Sequence, residues 1–403
     1  MVSSFAVRER AIDLGFDLAG IAPIGVWKDL EFSRRWVEKG FNGEMRYLEN
    51  PKRFDPHLVL PSAKSVICVG LVYDTPFPCS SFHLPVSAAA TPRAWISRYA
   101  WGQDYHEIMR AKLEQLRAAL EDLAPAVETR AFVDTGPIVE RAFARFSGIG
   151  WMGKNTCIIN QEKGSWFFLG VILTNLELAP DLPAPDRCGS CTACLETCPT
   201  GALVRPYVMD ASRCISYFSI ELKGSIPELF RPKIGSSVFG CDICQDVCPW
   251  NSSHQPSAFS YQQSLSPERQ SADEHYVKKA AATKVPQFHP MTFAPIRSTL
   301  EEGSACKQLT TDHRQRTTDA ASFSLFNPTL DALASFSEDD FRRIFAHSPI
   351  KRVKYRGWLR NLCVTMRNSG DERFVPWLER AAQHSDPIVR EHAAWALERL
   401  RSK

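Results

Sequence analysis

A chain of 403 residues, 44% of them hydrophobic, is long enough for two or three domains with cores of their own and has no need of disulfide staples. Its apolar runs, such as residues 166–173, fall short of the roughly 20 residues that cross a bilayer, which excludes a helical membrane span. The net charge of +3 conceals a division, because residues 341–403 carry 14 Lys or Arg against 6 Asp or Glu while the remainder is mildly acidic. A basic C-terminal module suggests a polyanionic partner, although a solvated helical face is the commoner meaning of a charge run.

The N-terminal stretch MVSSFAVRERAIDLGF scatters its charges among apolar residues at helical spacing, without a basic region before an apolar core. It reads as the first helix of a cytoplasmic protein. Residues 65–74, 129–134 and 165–178 read as strands and 104–123 as an amphipathic helix, so residues 1–180 are expected to form a mixed α+β domain. Asp104, Tyr105 and His106 begin the D-x-H-x-x-G signature of one class of cobalamin site, but Met109 stands where its glycine belongs. No G-x-G-x-x-G dinucleotide fingerprint followed by an acidic residue occurs. Asp134 ends a strand just before Thr-Gly-Pro, a position that suits a site residue and equally a turn or cap.

Thirteen cysteines in a chain of this size point to metal or redox chemistry, and eight of them lie between Cys188 and Cys248. Cys188, Cys191, Cys194 and Cys198 follow the C-x2-C-x2-C-x3-C-P spacing of bacterial ferredoxins. A second run, Cys241, Cys244 and Cys248, lacks one member, which Cys214 supplies. By the crossed-over logic of two-cluster ferredoxins, Cys188, Cys191, Cys194 and Cys248 hold one four-iron cube, and Cys198, Cys214, Cys241 and Cys244 hold the other. Structural zinc is the competing reading of C-x2-C pairs, and the unbroken triple spacing with its Cys-Pro endings weighs against it. Cys68, Cys79, Cys157, Cys306 and Cys363 read as small buried or incidental residues. Two neighbouring clusters make an electron wire to an acceptor in the N-terminal domain.

Residues 252–325, rich in Ser, Thr and Gln, read as an insertion or linker, and 265–320 are expected to be dispensable for chemistry. From 326 onward the pattern is helical, and DPIVREHAAWALERL has the Asp-Pro start and small-residue face of a solenoid helix of the HEAT type. Residues 341–370 hold eight Lys or Arg and no acid, with Tyr355 and Trp358 interleaved, as expected of a surface that meets phosphates and stacks bases.

Taken together, GEMRYLENPKRFDPHLVLPSAKSVICVGLVY, ISRYAWGQDYH, FVDTGPIVERAFARFSGIGWMGKNT, CGSCTACLETCPTGAL, CISYFSIELKGSIP, FGCDICQDVCPWN and SPIKRVKYRGWLRNL resemble the epoxyqueuosine reductase family. The resemblance runs the length of the chain, interrupted only by the Ser/Thr/Gln-rich segment. It implies a nitroreductase-like cobalamin-binding domain (1–180) and a ferredoxin-like domain with two 4Fe-4S clusters (181–251). The insertion or linker (252–325) and HEAT-like helical tRNA-binding repeats (326–403) follow. The implied reaction is reduction of epoxyqueuosine to queuosine at the wobble position of tRNA anticodons, the last step of queuosine biosynthesis, with cobalamin held base-off.

Asp134 matches the family's proton donor, and a corrin beside it would raise its pKa towards neutrality. His57, Ser97, Arg98, Tyr99, Lys154, Asn155, Ser216 and Asp242 match positions around the cobalamin, with Asp134 among them. Lys223, Lys351, Arg352, Lys354, Arg356 and Arg360 are the expected tRNA contacts. An electron donor such as a flavodoxin or ferredoxin, and a monomeric state, complete the expectation. A corrinoid reductive dehalogenase shares clusters and cofactor but is expected to carry a twin-arginine signal. A non-catalytic electron carrier or tRNA-binding protein needs neither Asp134 nor a corrin pocket.

Overall fold

Both faces of the strand Ser65–Val72 are covered, and all eight of its residues are buried. This computed structural model describes residues 2–25, 27–75, 91–251, 282–293 and 323–402. Leu18–Pro23 and Phe167–Thr174 flank the strand, and Thr129–Phe132 completes a four-stranded sheet in which every neighbour is antiparallel. Side chains alternate across a strand. Ile67, Val69 and Leu71 therefore meet Met109, Leu113 and Leu116 of the helix Tyr105–Leu123, together with Val7 and Ala11 of the helix Ser4–Asp13. Val66, Cys68 and Val72 meet Ala142 and Phe143 of the helix Glu140–Phe146 on the other side. Burial on both faces explains the unbroken apolar run in the sequence, and Met109 occupies its position as a core residue.

Much of the expected insertion, with Cys79 and Cys306, lies outside the described residues. Its part at 282–293 corrects the expectation of a dispensable segment. Thr283 N–H donates to Asp74 O at 2.6 Å, Gln103 N–H to Gln287 O at 2.8 Å and Met291 N–H to Trp101 O at 2.8 Å. Phe288 is 3% exposed and sits edge-on to Phe168, with ring centroids 5.1 Å apart. A Cβ on Gly102 would fall 2.3 Å from Gln287 O, so glycine is what allows this backbone to approach. Within residues 282–293, Phe288 and Phe293, with backbone hydrogen bonds, carry the docking, a pattern too sparse to give periodicity.

The cysteine-bearing residues and the C-terminal helices share one core. Ile215, Phe218 and Val238 pack with Trp358, Leu362 and Val364 of the helix Lys354–Ser369, and Trp395 of the helix Pro387–Arg401 belongs to the same cluster. Local signals set the helix ends. A Ser337/Asp340 capping box starts Glu338–Ile344, Gly370 at φ 69° ends Lys354–Ser369, and Asp386 with Pro387 starts the last helix. No described helix is long and apolar enough to cross a membrane.

Candidate active site and cluster centres

Four of the eight cysteines, Cys188, Cys191, Cys194 and Cys248, line one cavity of about 280 Å³ together with Lys154 and Trp250. Burial pushes the Cys194 thiol up to about 11, with Cys191 and Cys188 adding to the rise. It pushes Cys248 up to about 12, with Cys188 contributing. The second set shows the same mutual influence. Burial raises Cys241, and Cys214 and Cys198 raise it further; Cys244 is raised by its hydrogen bond to Cys157, by burial, and by Cys241 and Cys214. Thiolates crowded in this way ionise together only around a cationic centre. The first four line one cavity and the second four are mutual neighbours, an arrangement that two four-iron cubes can use. In a cube each thiolate binds its own iron, and among the described residues no three His, Cys, Asp or Glu are placed to hold a single metal ion.

Lys154 and Asn155 belong to this machinery. Lys154 Nζ donates to Gly189 O at 2.6 Å and Cys191 O at 2.8 Å, in the loop of the first set. Asn155 Nδ2 donates to Cys244 O at 3.0 Å, in the loop of the second. Two adjacent residues thus tie both cysteine loops to the α+β domain. Arg98 and Asp242 form a second tie. Arg98 reaches Asp74 at 3.2 Å and Asp246 at 3.0 Å, and the Asp242 carboxylate accepts from Ser97 Oγ and, at 2.8 Å, from Arg98 N–H. Arg98 and Asp242 hold the cysteine module in place and do not line the central cavity.

That cavity, about 770 Å³, lies between the sheet domain, the cysteine module and the start of the helical stack. Ser97, Tyr99, Ser216, Cys241, Asp134 and Lys351 line it. A second cavity of about 560 Å³ shares Asp134, Glu140 and Arg141 with it. His57 lines neither, standing instead 6.1 Å from the Trp27 ring and 3.5 Å from Asp55.

Asp134 follows the strand Thr129–Phe132 and has φ 55°, a left-handed conformation that Asp tolerates better than most residues. Its Oδ2 accepts from Tyr105 Oη at 2.9 Å and lies 3.4 Å from His106 Nε2. Its N–H donates to Glu140 Oε1 at 2.5 Å. Burial favours the neutral acid, but His106, then Tyr105, outweigh it and hold Asp134 below the usual carboxylate range. The expected rise depends on a corrin beside Asp134, whereas this lowering is set by the protein's own side chains. Glu140 is the raised carboxyl, pushed up to about 8 by burial and by the charge of Asp134. Behind His106, Nδ1 is 2.8 Å from Asp104 Oδ1, and Lys351 Nζ is 2.8 Å from Asp104 Oδ2.

The acid-free basic stretch is compensated from elsewhere in the fold. Arg352 pairs with Glu221 at 2.7 Å and lies over the Tyr47 ring, and Arg356 donates to Lys223 O at 2.8 Å. Lys223, Lys354 and Arg356 are exposed beside one another. Arg360 and Trp358, in contrast, are 1% and 0% exposed. Arg360 donates to the carbonyls of Leu222 at 2.7 Å, Gly224 at 2.8 Å and Phe218 at 2.5 Å. It therefore holds the cysteine module to the stack and cannot meet a phosphate, and Trp358 cannot stack a base. The helix is buried on all sides from Gly357 to Met366, so both side chains are enclosed on opposite faces, a detail that a count of charges does not reveal.

Tyr105, His106 and Cys157 are site residues that the sequence alone does not single out. The Asp-Tyr-His run is the available signal for the first two, and by itself it reads only as a broken cobalamin motif. Cys157 lines the central cavity beside Cys244, with nothing in its sequence context to mark it.

Two sets of four thiolates, one of them opening onto a large cavity with a strained carboxylate in its wall, define an iron-sulfur redox enzyme. The family described as a 4Fe-4S double cluster binding domain matches residues 187–251. The family described as epoxyqueuosine reductase QueG, DUF1730 matches residues 53–135. An epoxyqueuosine reductase of a Synechocystis species is 44% identical over 339 residues, covering 83% of this chain and 95% of its own. That of Salmonella typhimurium is 33% identical over 399 residues, covering 97% and 86%. The solved epoxyqueuosine reductase of Streptococcus thermophilus superposes with a TM-score of 0.75 at 27% identity, over 99% of this chain and 90% of that one. An epoxyqueuosine reductase solved with a tRNA-Tyr epoxyqueuosine-modified stem loop gives 0.74 at 29% identity, over 98% and 89%. The chain belongs to the epoxyqueuosine reductase family.

Proposed function

We propose that this protein reduces epoxyqueuosine to queuosine at the wobble position of tRNA anticodons, with base-off cobalamin in the central cavity. The observation that carries the reading is one cavity walled by Asp134 and by Cys241 of the second cysteine set, with Lys351 and Arg352 of the helical stack on its lining. The central cavity, about 770 Å³, is at the large end of the roughly 300–1,000 Å³ of ordinary small-ligand pockets, and a second cavity meets the same Asp134, which suits a bulky cofactor with a nucleobase brought to that carboxylate. The hydroxyls of Ser97, Tyr99 and Ser216 are polar partners for the amide groups on a corrin rim. When bound, cobalamin supplies a reducing centre that side chains alone cannot provide.

The protein's own residues do the rest. Cys191 is exposed, so electrons from a flavodoxin- or ferredoxin-like donor enter at the first cluster and leave for the cavity through the second, where Cys241 stands. Asp134 faces the cavity and delivers a proton to the epoxide oxygen. The substrate base, being in a loop, swings into the pocket at modest cost. A monomer acting in the cytoplasm fits this reading. Incubation of reconstituted protein with epoxyqueuosine-modified tRNA, cobalamin and a strong reductant should give queuosine by mass spectrometry of the nucleosides; unchanged epoxyqueuosine with both clusters loaded refutes the reading.

The exposed cations give a separate expectation. Replacing Lys223, Lys354 and Arg356 with Glu should flatten the dependence of log tRNA affinity on log salt by about 0.7–0.9 for each phosphate that is no longer neutralised, with iron content unchanged. An unaltered slope places the tRNA on another surface.

A further inference from the structure

Lys351, Asp104, His106 and Asp134 form a continuous chain of alternating charge from the helical stack to the cavity. Asp104 is held twice, because it also caps the helix Tyr105–Leu123 by accepting from His106 N–H at 3.1 Å. With Nδ1 committed to Asp104, the second imidazole nitrogen is buried without an aligned hydrogen-bond partner and lies 3.4 Å from Asp134 Oδ2, near enough for a small rotation to join them. Tyr105 Oη fixes the same carboxylate oxygen.

Proton bookkeeping gives this chain a use, on the reading of the function made above. Converting an epoxide to an alkene breaks both C–O bonds, consumes two electrons and places two protons on the oxygen, which leaves as water. The clusters supply the electrons. Asp134 rests ionised, so each of the two protons has to reach it from another group.

We propose that His106 holds the proton that charges Asp134, passing it from Nε2 to Oδ2 so that Asp134 can give it to the departing oxygen, with Asp104 and Lys351 fixing the imidazole; the ring then takes a proton from water and delivers the second by the same route. His106 is thus a positioning and proton-holding residue that acts through Asp134. The developing alkoxide is far more basic than either group, so transfer along the chain runs downhill overall. Burial opposes the charged imidazole, but Asp104 and Asp134 outweigh it and lift His106 to about 9. The mobile proton therefore rests on the ring at neutral pH. Other charged groups face the region from each packed element. Glu107 and Arg110 come from the same helix, Glu140 and Arg141 from the helix after Asp134, and His347 and Arg352 from the stack. Glu140 is the rival proton store, but its Oε1 is occupied by the Asp134 amide.

Single-turnover conversion by the holoenzyme, measured against pH, tests the relay. The wild-type rate should fall as pH rises through about 9, because the imidazole must be charged. His106→Gln should remove that limb and slow conversion about 100-fold, with tRNA affinity and cobalamin content unchanged. Asp104→Asn keeps a capping side chain and should move the limb to lower pH, since the imidazole loses its anionic partner. In histidine-labelled protein, NMR should report the same shift without turnover. A wild-type profile in His106→Gln, or loss of the limb only in Glu140→Gln, overturns the assignment. Absence of conversion by the wild type overturns the functional reading and the relay together, whereas failure of the relay alone leaves wild-type conversion intact.

Discussion

Asp134→Asn should slow single-turnover conversion by about 100- to 10,000-fold, the range seen when a general acid is removed. Asn has the size of Asp and also tolerates φ 55°, so the turn after Thr129–Phe132 should persist. Its amide oxygen can still accept from Tyr105, but it cannot release a proton to an epoxide oxygen. Iron content, cobalamin content and tRNA affinity should therefore stay near wild type while conversion collapses. Undiminished conversion would move the donor to another group, with Glu140 the nearest carboxyl by virtue of its contact with the Asp134 amide. The depressed pKa of Asp134 sharpens the expectation, because the resting carboxylate has to be supplied with its proton before it can act.

Arg360→Met should destabilise the protein by on the order of 3–5 kcal/mol, the scale of breaking a buried charge network from one side. Methionine fills much of the volume but leaves the carbonyls of Leu222, Gly224 and Phe218 without donors in a buried interface. Burial lowers Arg360 to about 10, which still keeps it charged at neutral pH. The denaturation midpoint should drop, and the salt dependence of tRNA binding by the remaining folded protein should be unaltered. A tRNA contact at Arg360 would give the reverse pattern, an altered salt slope with little loss of stability.

The parts of this protein that are legible in sequence are those with a fixed local spacing. The strand Ser65–Val72 follows from its unbroken apolar run and the helix Tyr105–Leu123 from its period, and the eight clustered cysteines stand at intervals that match two-cluster ferredoxins. What is not legible depends on three-dimensional orientation. Arg360 and Lys354 lie on the same helix, yet one is buried against carbonyls and the other faces solvent. Lys154 matches a cobalamin position by motif but holds a cysteine loop, because its partners are backbone carbonyls, which leave no trace in a motif. The influence of His106 on Asp134 is not legible for a related reason: the two are distant in sequence and adjacent in space.

The shared core also imposes an order of events during synthesis. Ile96, Phe218 and Val238 share their core with Trp358, Leu362 and Trp395, residues far downstream in the chain. Such long-range contacts close late, since chain entropy has to be overcome before they form. The eight cysteines therefore emerge during synthesis before the helices that pack against their module, and durable insertion of iron and sulfide is expected only once those helices have docked.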